Sequence, residues 1–427
     1  MTTPSNGHIP LASFYLLERT QPSLPQLEDL SGSISESLRG LGLAAEKLRG
    51  KRLAVAVGSR GIASLEEIVG AVCGWLKAQG AHPFIFPAMG SHGGATAEGQ
   101  RKILEGYGVT EAALGVEIRS SMESVLLGTT PEGFRVFMDR NAWESGGVVV
   151  INRIKPHTDF CGKIESGLLK MITIGMGKLE GATEGHRQSW KHGFETAIRA
   201  VSGKVLASGK ILFGVGVVEN ELHQIAAVRA ALPDDLVGQE ESTLQLARTL
   251  VPRIPLVDFH LLVVDEMGKD VSGTGMDTKV IGRGVKLPPG EAPAISMIYV
   301  RDLTPESGGN AIGMGYADVI HERLYRKIDF PKTYLNARTA LNPAASLLPI
   351  HMPSDREALD LLLGHLGSPE PAEQRIIWIR NTLSLDRIAL SPALAREAAA
   401  LARWRLSDES YPADFDSAGD LKPLWKG

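Results

Sequence analysis

The chain alternates short apolar runs with amphipathic stretches. Arg52-Leu-Ala-Val-Ala-Val57 is a continuous apolar run that stops at Gly58, the pattern of a strand buried on both faces. From Ser64 to Gln79 the positions Leu65, Ile68, Val69, Val72, Trp75 and Leu76 recur at helical spacing, and Ser64 with Glu67 fits a capping box. Pro83 to Pro87 predicts the next strand, and Thr96 to Tyr107 the next helix with Thr96 as its cap. Gly147-Val-Val-Val-Ile151 is a further buried strand, Ile211 to Val218 and Gln224 to Arg229 predict two more, and Asp235 to Leu250 a helix. Before this series lie a turn-prone stretch from Pro22 to Pro25 and one amphipathic helix expected over Ile34 to Leu48. Arg253 and Pro255 fall in a break, after which His260-Leu-Leu-Val-Val-Asp265 opens a second series. Its later strands are expected at Ala294 to Val300 and Arg375 to Ile379, its helices at Asp355 to Leu366 and Pro392 to Arg403. The last dozen residues read as a tail. The alternation predicts an α/β protein: two α/β domains with largely parallel sheets, residues 1–255 and 256–427, and an interdomain active-site crevice. The tail is a candidate to pack back on the first domain.

Composition narrows the partners. Lys and Arg total 45 against 49 Asp and Glu, a net charge of −4 with no basic block, which argues against nucleic acid. No apolar run approaches the ~20 residues of a membrane span, and the first residues lack a secretory signal pattern. Cys73 and Cys161 are too few for a disulfide framework, so a cytoplasmic protein acting on a small molecule is expected. The 47 glycines exceed the average of about 7% and are not arranged in repeats.

Unusual residues gather where predicted strands end, the place where open α/β sheets bind ligands. The first strand ends at Gly58-Ser59-Arg60, the second runs into Gly90-Ser91-His92-Gly93-Gly94, and the third into Lys155-Pro156-His157. The first strand after the break leads into a polar segment holding Lys269 and Asp277. Arg60 also suits a surface charge, and the Gly-Gly pair also suits a tight turn. The densest stretch runs from Lys155 through Lys163 and Ser166-Gly-Leu-Leu-Lys170 to His186. Lys170 reads either as a helix-surface lysine or as one desolvated toward reactivity by its apolar neighbours. There is no CxxC pair, HExxH or GxSxG, which excludes a conventional zinc site and the α/β-hydrolase elbow.

Taken in order, Gly58-Ser59-Arg60, Gly90-Ser91-His92-Gly93, Pro156-His157, Ser166-Gly-Leu-Leu-Lys170 and His186 resemble the lactate racemase family over about Val55 to Arg283. The resemblance implies a nickel-pincer nucleotide, a pyridinium mononucleotide that binds nickel through a carbon and two sulfurs. His186 corresponds to the nickel histidine, and His92 and His157 to two catalytic bases, one on each face of a 2-hydroxy acid. Lys170 corresponds to the cofactor lysine, with Lys163, Lys155, Ser91 and Gly93 as further cofactor contacts. Arg60 is expected to hold the substrate carboxylate, joined by Lys269 and Asp277. The implied activity is a racemase or epimerase moving a hydride off C2 and returning it to the other face. Three departures stand out. The acidic residue and the proline usual around the early arginine are absent. The family's Ser-Gly-Gly-Ala-Lys is Ser-Gly-Leu-Leu-Lys here. The stretch from His157 to Lys170 is longer. Covalent attachment through Lys170 is therefore left open, and a larger hydroxylated acid competes with lactate as substrate. The alternatives are a sugar-acid dehydratase and a non-catalytic protein binding a phosphate-bearing ligand. Glycines at 146, 147, 162, 167, 175, 177, 181 and 185, with 90, 93 and 94, are expected to admit a bulky planar cofactor.

Overall fold

A computed structural model describes residues 8–20, 24–59, 61–158, 160–285, 287, 292–340, 342–367 and 370–424. The chain divides into two compact units. One comprises Ser23–His157 and Cys161–Val251, the other Met1–Pro22, Thr158–Phe160 and Pro252–Gly427.

The first unit is built on a five-stranded sheet in the order His82–Pro87, Arg52–Val57, Val148–Arg153, Ile211–Glu219, Ile225–Ala231. The first four strands are parallel and the last is antiparallel. The apolar runs read from the sequence lie at its centre, with Leu53, Val55, Val57, Val149 and Val215 all fully buried. At ~1.5–3 kcal/mol for each buried aliphatic side chain, these runs dominate the stability of the sheet. A hairpin of Ser124–Thr129 and Arg135–Asp139, not anticipated, stands apart from it.

The second unit carries an eight-stranded sheet in the order Ile350–Met352, Val319–His321, Ala294–Val300, Asp258–Val264, Ile376–Ile379, Arg387–Leu390, Phe14–Arg19, Trp404–Tyr411. The first five are parallel and the last three join antiparallel. Both units are thus α/β with mostly parallel sheets.

Four local expectations are corrected. Ser64 does precede the helix Leu65–Ala78, but its backbone is left-handed (φ 54°) and its hydroxyl makes no capping bond. The helix expected over Ile34 to Leu48 is Leu30–Arg39, capped by Asp29 and stopped at Gly40; Leu48 is buried after a separate short turn. The helix from Pro392 ends at Ala398, because residues 404–411 must turn back to pair with the strand Phe14–Arg19. The segment read as a tail is built in. Leu421 is buried, its N–H donates to Asp355 and its carbonyl accepts from Arg301.

Candidate active site

Three parallel strands of the five-stranded sheet end on one edge, and each leads into a predicted site segment: Gly58-Ser59, Ala88 to His92, and Ile154 to His157. Arg60 lies outside the described residues. His92 is exposed, and its Nδ1 is hydrogen-bonded to the Ser59 hydroxyl. Ser59 is held in turn by Tyr107, whose hydroxyl donates to the Ser59 carbonyl at 3.0 Å. Proton transfer at a histidine requires one ring nitrogen held in place, and the Ser59 bond holds Nδ1.

His157 sits in a loop whose ends are tied by backbone pairing of Lys155 with Ser166, at 2.9 and 3.2 Å. The buried Glu165 carboxylate accepts the backbone N–H of His157 and, at 3.2 Å, that of Gly162. Arg248 neutralises Glu165 at 2.6 Å and reaches the Gly162 carbonyl at 2.7 Å. The loop is therefore fixed by an ion pair on a fully buried carboxylate, with the buried Ile164 beside it. Lys170 Nζ meets His157 Nε2 directly.

Lys170 closes a single helical turn, Leu168–Lys170, that runs into a π-helical turn, Met171–Gly175. π-turns cost hydrogen-bond quality and concentrate at functional sites. Glu240 accepts the Leu169 N–H at 2.9 Å at the start of that turn. Burial pushes the Glu240 carboxyl up to about 7 against the pull of the Leu169 and Leu168 N–H groups.

His186 lies within the helix Lys178–His192 and keeps contact with solvent. Crowding around the ring, then the Lys170 charge, hold its pKa below the ordinary histidine value. Solvent contact weakens the first cause, but both act in the same direction, toward a neutral imidazole. Its ring nitrogens have no hydrogen-bond partner among the described residues. Phe194 links the two histidines: its ring stacks on His157 at 6.0 Å and meets the His186 ring edge-on at 6.3 Å. Lys170, His157 and His186 are thus brought together around one aromatic ring. The His92 loop abuts the same elements, with Gly90 N–H donating to the Gly175 carbonyl at 3.0 Å.

The remaining candidates have contacts of their own. Lys163 and Lys155 are exposed, and Lys163 is anchored through its N–H to Glu195 at 3.0 Å. Ser91 is exposed and its carbonyl accepts from Ala95 at 3.1 Å. Lys269 and Asp277 belong to the other unit and have local partners: Lys269 Nζ bonds the Gly273 carbonyl at 2.6 Å, and Asp277 caps the helix Thr278–Ile281. In that unit His321, Asp355 and Asp420 place ligand atoms within 4.8 Å of one another. Arg301 and Arg323 pair those carboxylates, so the charge a cation would bring is already supplied.

The expected use of the glycines is corrected. A Cβ on Gly90 would lie 3.2 Å from the Ile174 carbonyl, on Gly93 2.6 Å from the Gln100 nitrogen, on Gly167 2.4 Å from Glu240, and on Gly175 2.4 Å from the Ala88 carbonyl. The space these glycines open is filled by the chain itself, packing the His92 loop on the π-turn. Sequence reading also passed over Ser59, Glu165, Phe194 and Glu240. Only Glu240 carried a signal: it falls in register with Leu236, Thr243, Leu244 and Ala247 on the buried face of its helix.

Residues 16–196 match the family model described as the lactate racemase N-terminal domain. Among solved structures the chain is similar to the lactate racemase apoprotein from Thermoanaerobacterium thermosaccharolyticum, at 15% identity and a TM-score of 0.54, covering 86% of this chain and 94% of that one. At that identity the likeness speaks to the fold. No curated protein matches the chain in sequence. The resemblance read from the motifs is met by the family match over residues 16–196, and the expected α/β architecture by the structural likeness.

Proposed function

We propose that the protein is a racemase or epimerase of a 2-hydroxy acid that works with a nickel-pincer nucleotide. The observation that carries this reading is His186: an imidazole held toward its neutral form, without a hydrogen-bond partner among the described residues, beside Lys170. A neutral imidazole is the donor that completes a square-planar nickel site. The residues fit the group: His186 would ligate the metal, and Lys170, Lys163 and Lys155 would face the nucleotide. When bound, the nickel nucleotide supplies an acceptor for the hydride of the substrate's C2.

The chain's own residues do the rest. His92 takes the hydroxyl proton on one face of the substrate, with Ser59 fixing its ring, and His157 gives a proton on the other, with Glu165 fixing its loop. Lys170 at His157 Nε2 holds that imidazole ready to exchange a proton. Arg60 pairs with the carboxylate. The departures around Arg60 and Lys170 favour an acid other than lactate, and the polar segment holding Lys269 and Asp277 suits one with a hydroxylated chain.

The test is co-expression with cofactor-making enzymes, followed by metal analysis, intact mass and chiral chromatography of a 2-hydroxy acid panel. Bound nickel, a nucleotide mass and interconversion of one acid with C2 deuterium retained are expected. His92→Ala and His157→Ala should each lower turnover about 100-fold or more. Protein without nickel or nucleotide would sink the reading, and a 2-keto-3-deoxy product would reassign the chain to the dehydratases.

A further inference from the structure

Lys178 is fully buried, opens the helix that follows the π-turn after Met176 and Gly177, and has a left-handed backbone (φ 55°), a conformation a non-glycine residue adopts only when its surroundings demand it. Its ammonium has three hydrogen-bonding protons. One faces the equally buried Asp139 at 3.0 Å, one reaches the Pro87 carbonyl at 2.6 Å, and one the Gln100 side-chain oxygen at 3.2 Å. Gln100, also buried, uses its amide nitrogen on the Gly90 carbonyl at 2.9 Å and the His92 carbonyl at 3.3 Å. Every bond that leaves the ion pair from the Lys178 side therefore ends on residues 87–92, directly or through Gln100. On its other side, Asp139 accepts the Ala142 N–H at 3.0 Å, and its own N–H donates to Met176 at 2.7 Å. A hairpin end, the π-turn and the His92 loop thus meet at one buried charge.

We propose that Lys178 is a positioning residue for His92, tying the end of strand His82–Pro87 and, through Gln100, the His92 loop to the helix that carries His186. This rests on the reading of His92 as a base, and it explains the location of a charge that apolar packing would replace at lower cost. A methionine has the reach of lysine without its protons, so it would fill the space and release the loop. An ammonium at this point also gives the loop a fixed origin that carbonyls alone, all acceptors, cannot give one another.

Histidine NMR of the unloaded protein tests the idea without relying on turnover. In Lys178→Met and in Gln100→Leu the His92 ring signal should shift and broaden while that of His157 stays in place. Exchange of the His92 amide, bonded to the Met89 carbonyl at 3.1 Å, should quicken by about tenfold or more. In loaded enzyme kcat should fall roughly 10–100-fold with KM nearly unchanged, the pattern of a misplaced base rather than a lost binding contact. Gln100→Leu keeps the ion pair, so it decides the matter if Lys178→Met does not fold. An unchanged His92 signal and exchange rate in Gln100→Leu overturns the proposal. A wild-type protein that turns over no 2-hydroxy acid overturns the function instead, and leaves the NMR result valid.

Discussion

Two buried ion pairs, one in each unit, are satisfied in opposite ways. Asp355 receives Arg301 through Nε at 3.0 Å and through a second guanidinium nitrogen at 2.7 Å, with Tyr299 at 2.6 Å and the Leu421 N–H at 2.7 Å. Burial works to raise this carboxyl, but the Arg301 bonds and charge outweigh it and hold it below its ordinary value. Asp139 receives Lys178 at a single 3.0 Å contact, and here burial wins: it pushes the carboxyl up and the ammonium down. The guanidinium spends two of its five donors on Asp355 and others on the Asp265 carboxylate and the Leu421 carbonyl, all within its own unit, whereas the ammonium spends two of three on the Pro87 carbonyl and on Gln100, which reaches the His92 loop. A guanidinium shared between two carboxylates and the Leu421 carbonyl builds scaffold. A pair left incompletely compensated has donors to lend to a working loop.

The comparison breaks first at Asp355. Asp355→Ala leaves the buried guanidinium with Asp265 as its one close carboxylate and removes the acceptor of Tyr299 and of the Leu421 N–H, and should cost about 3–5 kcal/mol, read as a lowered denaturation midpoint. Because the Asp355 pKa is depressed, this deficit should be full above the usual aspartate range of about 4 and shrink as pH falls through the folded value. Glu240 is the intermediate case, with two backbone donors and no cation in contact. Its pKa of about 7 exceeds the unfolded value, so its contribution is complete at low pH and disappears as pH rises through 7. Glu240→Gln should therefore gain on the wild type between pH 4.5 and 8, by on the order of 3 kcal/mol. Parallel stability curves would remove Glu240 from the series. Asp139→Asn should cost less, about 1–3 kcal/mol, because Lys178 can release its proton where Arg301 cannot. An equal cost for Asp139→Asn and Asp355→Ala would end the distinction.

Elements that follow from local pattern were legible. The strand Ala294–Val300 and the helix Asp355–Leu366 fall where their apolar spacing puts them. The strand Phe14–Arg19 was not, because its partners lie at 387–390 and 404–411, almost the whole chain away. Ser64 has the composition of a cap and the wrong backbone. For the site, histidines and lysines on loops were visible as residues without a packing reason, and His157, Lys170 and His186 do come together. What supports them was invisible, since Glu165, Phe194 and Gln100 are ordinary residues whose importance comes only from tertiary contact. The glycines mark the same limit: their number signalled close approach, but not that the approaching group is the chain itself.

At the mild end of the series is a partner with no charge at all. Ser59 or Gly58 stands at the acidic position of the motif that Gly58-Ser59-Arg60 resembles, and the Ser59 hydroxyl holds His92 Nδ1. A neutral hydroxyl at this contact orients the ring without itself favouring the protonated form. Ser59→Asp restores a negative charge at that contact. The imidazolium is then favoured, and the acid limb of kcat/KM should move to higher pH by about one unit, with solvent screening keeping it from being larger. Ser59→Ala removes the bond without adding charge; turnover should fall by less than about tenfold and the limb should stay in place. If the aspartate variant leaves the limb where it is, His92 is not the group whose ionisation limits the reaction. The contrast between charge spent on scaffold and an uncharged hydroxyl holding the reacting base would then fail at its most sensitive point.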